Sequence, residues 1–80
     1  MVRLDVTLSI GDTDDVGAIS VLVESVVGAE CCESGFGFGE RDLGWEFVSR
    51  ADADQAAGRV SAAFASRLAH CAVTDEETIQ

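Results

Sequence analysis

No lysine, asparagine, tyrosine or proline occurs in this chain of 80 residues, and histidine and tryptophan occur once each. Without lysine, five arginines are the only cationic side chains set against fifteen Asp and Glu, a formal net charge of −10. A surface this acidic repels phosphate, which excludes direct nucleic-acid binding. The single histidine, His70, excludes a multi-histidine metal centre and leaves one ring round which any Ser-His or Cys-His pair must be built. His70 therefore reads as a structural or solvent-facing residue. Cysteine is scarce too. Cys31, Cys32 and Cys71 are odd in number and lack a spaced framework, so they read as small core or half-exposed thiols in a reducing cytoplasm. Residues 1–10 contain no long apolar run of the signal-peptide kind. The longest apolar stretches elsewhere fall far short of the roughly 20 residues of a membrane helix. With no basic amphipathic face for anionic lipid either, membrane roles are excluded.

What is present points to a folded domain. The chain is 48% hydrophobic, too apolar for a disordered acidic tail, and its richness in Ala, Gly, Val, Asp and Arg is that of a GC-rich bacterial or phage genome. Eighty residues make one domain near the lower limit for a core without metal or disulfide, which leaves room for a homodimer.

Val2, Leu4, Val6, Leu8 and Ile10 alternate with Arg3, Asp5, Thr7 and Ser9, the period of a strand with one buried face. Gly11 breaks it, and Asp12 or Thr13 is expected to cap a helix with Asp14 and Asp15 in its first turn. Val16, Ile19, Val23 and Val26 recur at helical spacing, Leu22 and Val27 widen the stripe, and Gly28 is a suitable stop. Alternation returns over 29–38, with Cys32, Ser34, Phe36 and Phe38 on one face and Cys31, Glu33, Gly35 and Gly37 on the other. Turn residues at 39–42 lead to a third strand in which Leu43, Trp45 and Phe47 alternate with Gly44, Glu46 and Val48. Ser49, three residues before Asp52, opens an Ala-rich helix with Ala53, Ala56, Val60, Ala63 and Phe64 at helical spacing. A close helix-to-sheet approach would account for Gly58 in its middle. Residues 68–74 read as a last strand and 75–80 as a frayed acidic tail. The expected fold class is α+β: a ferredoxin-like β-α-β-β-α-β domain over 1–74, with an antiparallel sheet and both helices on one face.

Little chemistry is encoded. Adjacent Cys31 and Cys32 point to opposite sides of a strand and cannot share a tetrahedral metal. The run Gly35, Phe36, Gly37, Phe38, Gly39 lacks the helix and lysine of a phosphate cradle, and its alternating glycines read as room for close packing. Phe36, Phe38, Trp45 and Phe47 could form a stacking platform, but beside Glu33, Glu40, Asp42 and Glu46 they read as core. No nucleophile stands beside a base and no cofactor fingerprint is present, so the reading is of a non-enzyme with no cofactor and no metal.

The charge itself is the functional signal. Glu30, Glu33, Glu40, Asp42 and Glu46 fall on the hairpin strands and their turn, and Asp12, Asp14 and Asp15 form a second cluster at the start of the first helix. These eight carboxylates are the candidate partner-binding residues for a protein whose basic nucleic-acid-binding surface they would occupy. In length, acidity, α/β pattern and lack of catalytic residues the chain resembles the small anti-CRISPR proteins of phages and mobile elements. The resemblance implies inhibition of a CRISPR surveillance complex, with a type I complex preferred, by covering the surface that receives target DNA in the bacterial cytoplasm. A small dimeric ferredoxin-like regulatory or ligand-binding module, and an immunity protein against a nuclease toxin, are the alternatives.

Overall fold

The computed structural model describes residues 1–37 and 39–75. Six elements follow one another: β1 (Val2–Ser9), α1 (Val16–Val27), β2 (Glu33–Gly37), β3 (Glu40–Phe47), α2 (Arg50–Ala63) and β4 (Leu68–Asp75). The strands form one antiparallel four-stranded sheet in the order β2-β3-β1-β4, so the chain is an α+β domain with β1 and β3 at the centre.

The alternation along β1 decides what lies inside. Val2, Leu4, Val6 and Leu8 are buried, and Val6 and Leu4 stand opposite Leu43 and Trp45 of β3 on the same side of the sheet. Ile19, Val23 and Val27 of α1 and Ala56 and Val60 of α2 close over these side chains, so both helices contribute to one core. Trp45 is 1% exposed, and its indole N–H donates to the Ala29 carbonyl, so the largest core side chain leaves no buried donor unmet. The alanines at positions 53 and 56 of α2 are fully buried, which lets that helix lie close to the sheet where the bulkier valines of α1 hold theirs further off.

Helix ends obey local rules, with one displacement from expectation. Asp15, and neither Asp12 nor Thr13, caps α1: its carboxylate accepts the Ala18 N–H, and the helix starts at Val16. Asp14 is drawn instead into the preceding turn, where it accepts the Gly11 N–H. Gly28 ends α1 with φ of 89°, a left-handed conformation that other residues enter at a cost. Ser49 caps α2 by accepting the Asp52 N–H. Arg59 of α2 donates to the carbonyls of Val26 and Val27, capping the end of α1 from the neighbouring helix.

Further expectations are corrected. The second strand covers 33–37 only, and the segment before it is held by side chains: the Cys31 N–H donates to the Glu24 carboxylate and the Ala29 carbonyl accepts from the Trp45 indole. The third strand begins at Glu40, which pairs with Gly37, so Glu40 and Asp42 are strand residues and do not belong to the turn. Leu22 is 56% and Phe36 58% exposed, so neither joins the core; Phe36 lies on an edge strand beyond the helices' cover. The reading of Phe38 as core, and of 76–80 as tail, lies outside the described residues, while Asp75 closes β4. At Gly58 an added Cβ would meet nothing within 4 Å, so no close approach among the described residues calls for that glycine. No helix among the described residues is long and apolar enough to cross a membrane.

Two stability measurements check this packing. Leu8→Ala, at a fully buried position, is expected to cost about 2–5 kcal/mol in chemical denaturation. A domain of this length holds roughly 4–12 kcal/mol in all, so the loss is a large part of the total. Gly58→Ala, in open space on a helix, is expected to raise stability by about 0.5–1 kcal/mol.

Candidate functional site

One side of the sheet faces the helices. The strand registers put Arg3, Asp5, Thr7 and Ser9 of β1, Glu40, Asp42, Gly44 and Glu46 of β3, Glu33, Gly35 and Gly37 of β2, and His70, Ala72 and Thr74 of β4 on the other. This open face therefore holds five carboxylates and a single guanidinium.

The cross-strand rows show how that guanidinium is placed. Glu33, Gly44 and Asp5 form one row, and Glu46, Arg3 and Thr74 the next. Arg3 donates from Nε to Asp5 at 2.8 Å and from Nη2 to Glu33, which lies two strands away. To reach Glu33 it must cross β3 at Gly44, and a Cβ there would come within 2.5 Å of Arg3 Nη2 and 3.1 Å of Cζ. Gly44 is thus the gap through which the arginine ties β1 to β2. The two carboxylates raise the guanidinium's pKa above its ordinary value, through their hydrogen bonds first and their charge second, so it stays a cation at every accessible pH. Beside it, the Thr7 hydroxyl donates to Asp42 at 2.8 Å, and the backbone at Gly35 is bare but for Asp42. Arg3, Asp5, Glu33, Gly35, Asp42 and Gly44 line a shallow groove of about 380 Å³. Its size is that of a small-ligand pocket, but its lining is charged where such pockets are mostly apolar.

The eight expected carboxylates divide accordingly. Glu33, Glu40, Asp42 and Glu46 share the open face, whereas Glu30 stands in the loop after α1 and Asp12 in the turn before it. Asp14 and Asp15 are occupied with local structure, Asp15 as the helix cap and Asp14 by the Gly11 N–H and by Arg67 at 3.0 Å. Among the described residues Asp12, Glu30, Glu40 and Glu46 accept no hydrogen bond and make no ion pair. All five arginines, in contrast, are engaged: Arg3 as above, Arg41 with Ser20 Oγ, Arg50 with Asp54, Arg59 with α1 and Arg67 with Asp14 and the Ser9 carbonyl. The cations are spent holding the fold together while the surplus carboxylates face water. Sequence alternation placed Arg3, Asp5 and Thr7 on one polar face, but their role needed the register, which no short-range pattern carries.

The thiols are dispersed. Cys31 is half-buried before β2, Cys32 is exposed, and Cys71 is half-buried on β4 at the opposite edge of the sheet. Burial raises the pKa of both Cys31 and Cys71, which keeps them as thiols. Among the described residues no group of three or more His, Cys, Asp or Glu side chains is close enough to hold a metal ion.

Two predictions test this electrostatic arrangement. Arg3→Ala removes the one cation from the open face and leaves Asp5 and Glu33 uncompensated. The cost is expected to be about 0.5–1 kcal/mol, since the partners are partly solvated. Melting curves at low and high salt should show the variant gaining more from salt than the parent. Asp14 and Glu24 both have pKa values below the ordinary carboxylate range, chiefly because they accept the Gly11 and Cys31 amides. A depressed folded-state pKa contributes stability above the unfolded value that is lost as pH falls through the folded one. Asp14→Asn with Glu24→Gln should therefore flatten the stability profile below about pH 4, measured by denaturation across the acid range.

A scan against protein-family models, a search of curated proteins and a search of solved structures each find no match to this chain.

Proposed function

We propose that this chain is a ferredoxin-like domain acting as a non-enzymatic, protein-binding inhibitor, whose open sheet face occupies a basic surface that its target uses for nucleic acid. The observation that carries this reading is the division of charge. The arginines are bound into the fold, and Glu40 and Glu46 stand unpaired on a flat face with Glu33, Asp42 and Asp5. Unpaired exposed carboxylates lose no internal bond when a partner's arginine or lysine meets them. The strand order β2-β3-β1-β4 and the order of elements along the chain support the ferredoxin-like assignment. Within this reading the resemblance to anti-CRISPR proteins makes a type I CRISPR surveillance complex the preferred target.

The density of charge limits how the mimicry works. Along β3, carboxylates at i and i+2 stand about 7 Å apart, whereas duplex DNA carries one charge per roughly 1.7 Å of axis. The face is a sparser polyanion than the duplex, so it competes at a local patch of the groove and does not replace the duplex along its length.

The test is binding of a purified type I surveillance complex to target DNA with and without this protein, at low and at high salt. Loss of DNA binding that salt relieves is the expected result. The triple variant E40K/D42K/E46K is expected to associate at least about tenfold more slowly, since steering charges act mainly on association, while keeping a single cooperative melting transition. Undiminished DNA binding by the complex would overturn the target, and unchanged association of the triple variant would overturn the face.

A further inference from the structure

Gly44 and Gly35 lie in adjacent cross-strand rows of the open face, and carboxylates border the space above each. Above Gly44 that space is filled by the chain's own Arg3, whose guanidinium lies between Asp5 and Glu33. Above Gly35 it is open, for an added Cβ would meet only Asp42 Oδ2, at 4.0 Å. Glycine inside a strand weakens it and often marks a place where another group comes close to the backbone. At Gly44 that group is Arg3; at Gly35 no group among the described residues takes the place.

The carboxylates around this opening are held in place yet only half used. Thr7 donates to Asp42 Oδ1 and so fixes that side chain, while Oδ2 leans over Gly35 and accepts no hydrogen bond among the described residues. Arg3 bonds Glu33 at Oε1 alone. Asp5, Glu33 and Asp42, set against Arg3, leave two negative charges unmet in the groove of about 380 Å³. Glu33 pairs with Gly44, which makes Asp42 its diagonal neighbour on β3. Such neighbours stand about 7–8 Å apart, a separation that the fork of a planar guanidinium spans.

We propose that the opening over Gly35 seats an arginine side chain of the protein partner, with its guanidinium flat on the glycine backbone and bridging Asp42 Oδ2 and Glu33 Oε2. This rests on the open face being the surface that meets the target. Charge complementarity selects a cation, and the shape of the groove selects which one. A guanidinium presents several N–H donors in one rigid plane, whereas the ammonium of lysine is a compact, strongly hydrated point charge. The chain's own arginine shows the arrangement one row away, lying over a bare glycine and donating to a carboxylate on either side. Because Thr7 and Arg3 already hold the two carboxylates, seating a further guanidinium orders few additional groups. The seat gives the acidic face a point of register on its target, which long-range attraction alone does not supply.

Titration of the isotope-labelled full chain with capped Gly-Arg-Gly, and separately with capped Gly-Lys-Gly at equal ionic strength, tests this through amide chemical shifts. The arginine peptide is expected to shift the amides of Gly35, Asp42 and Gly44 most, and to bind at least about threefold more tightly than the lysine peptide. Gly35→Val fills the opening at unchanged net charge and should lower the affinity for arginine to that for lysine. Asp42→Asn, which keeps an acceptor for the Thr7 hydroxyl, should do the same and serves as the test where Gly35→Val does not fold. Asp54→Asn removes one charge from α2, on the other side of the sheet, and should leave the preference for arginine intact. Equal affinity for the two peptides, or a preference that survives Asp42→Asn, would overturn the seat, as would shifts spread evenly over the open face. No surveillance complex enters the titration, so the two readings fail separately: a protein that blocks DNA binding but shows no preference for arginine retains its acidic face and loses the seat.

Discussion

Burial of Val2, Leu4, Val6 and Leu8 fixes β1 against both of its neighbours, because a slip of one residue would turn all four to water and carry Arg3 and Asp5 into the core. The other elements depend on that register. Leu43 and Trp45 must meet Val6 and Leu4, which starts β3 at Glu40 and shortens the hairpin turn. The same register lines Gly44 up between Asp5 and Glu33 and so creates the passage that Arg3 uses. An apolar constraint on one side of the sheet thus dictates the electrostatic geometry of the other.

Scarcity of cations gives that geometry its character. In a chain with five arginines and no lysine, each guanidinium joins segments distant in sequence or steadies a helix, and none is left to meet Glu40 or Glu46. Arg59 makes the point most clearly, since it spends its charge on two backbone carbonyls and, among the described residues, pairs with no carboxylate. The acidity of the exterior is therefore a result of where the arginines go as much as of how many carboxylates there are.

The strands and helices were legible wherever periodicity was strong: β1, the valine stripe of α1, the Ser49 cap and the Gly28 stop all follow from local pattern. Legibility failed where a tertiary bond overrode it. Residues 29–32 alternate like a strand, yet the Glu24 carboxylate accepts the Cys31 amide and the Trp45 indole donates to the Ala29 carbonyl. Asp12 is as good a cap as Asp15 by residue type, and only the turn bond from Gly11 to Asp14 shifts the helix start. Of the acidic residues, composition identified the type but could not separate Asp15, spent as a cap, from Glu46, left to solvent. That distinction depends on hydrogen bonds that form only after the chain has folded.

The β2 strand has one further consequence. It hydrogen-bonds to β3 alone, includes Gly35 and Gly37, and presents Phe36 largely to water, so little apolar burial and no second ladder hold it down. Its tie to the rest of the sheet is the solvated bridge from Arg3. Such a strand opens at a free energy well below that of global unfolding. Its amides will trade their protons with solvent while those of β1 remain protected, which makes β2 a separate cooperative unit within an otherwise single-core domain.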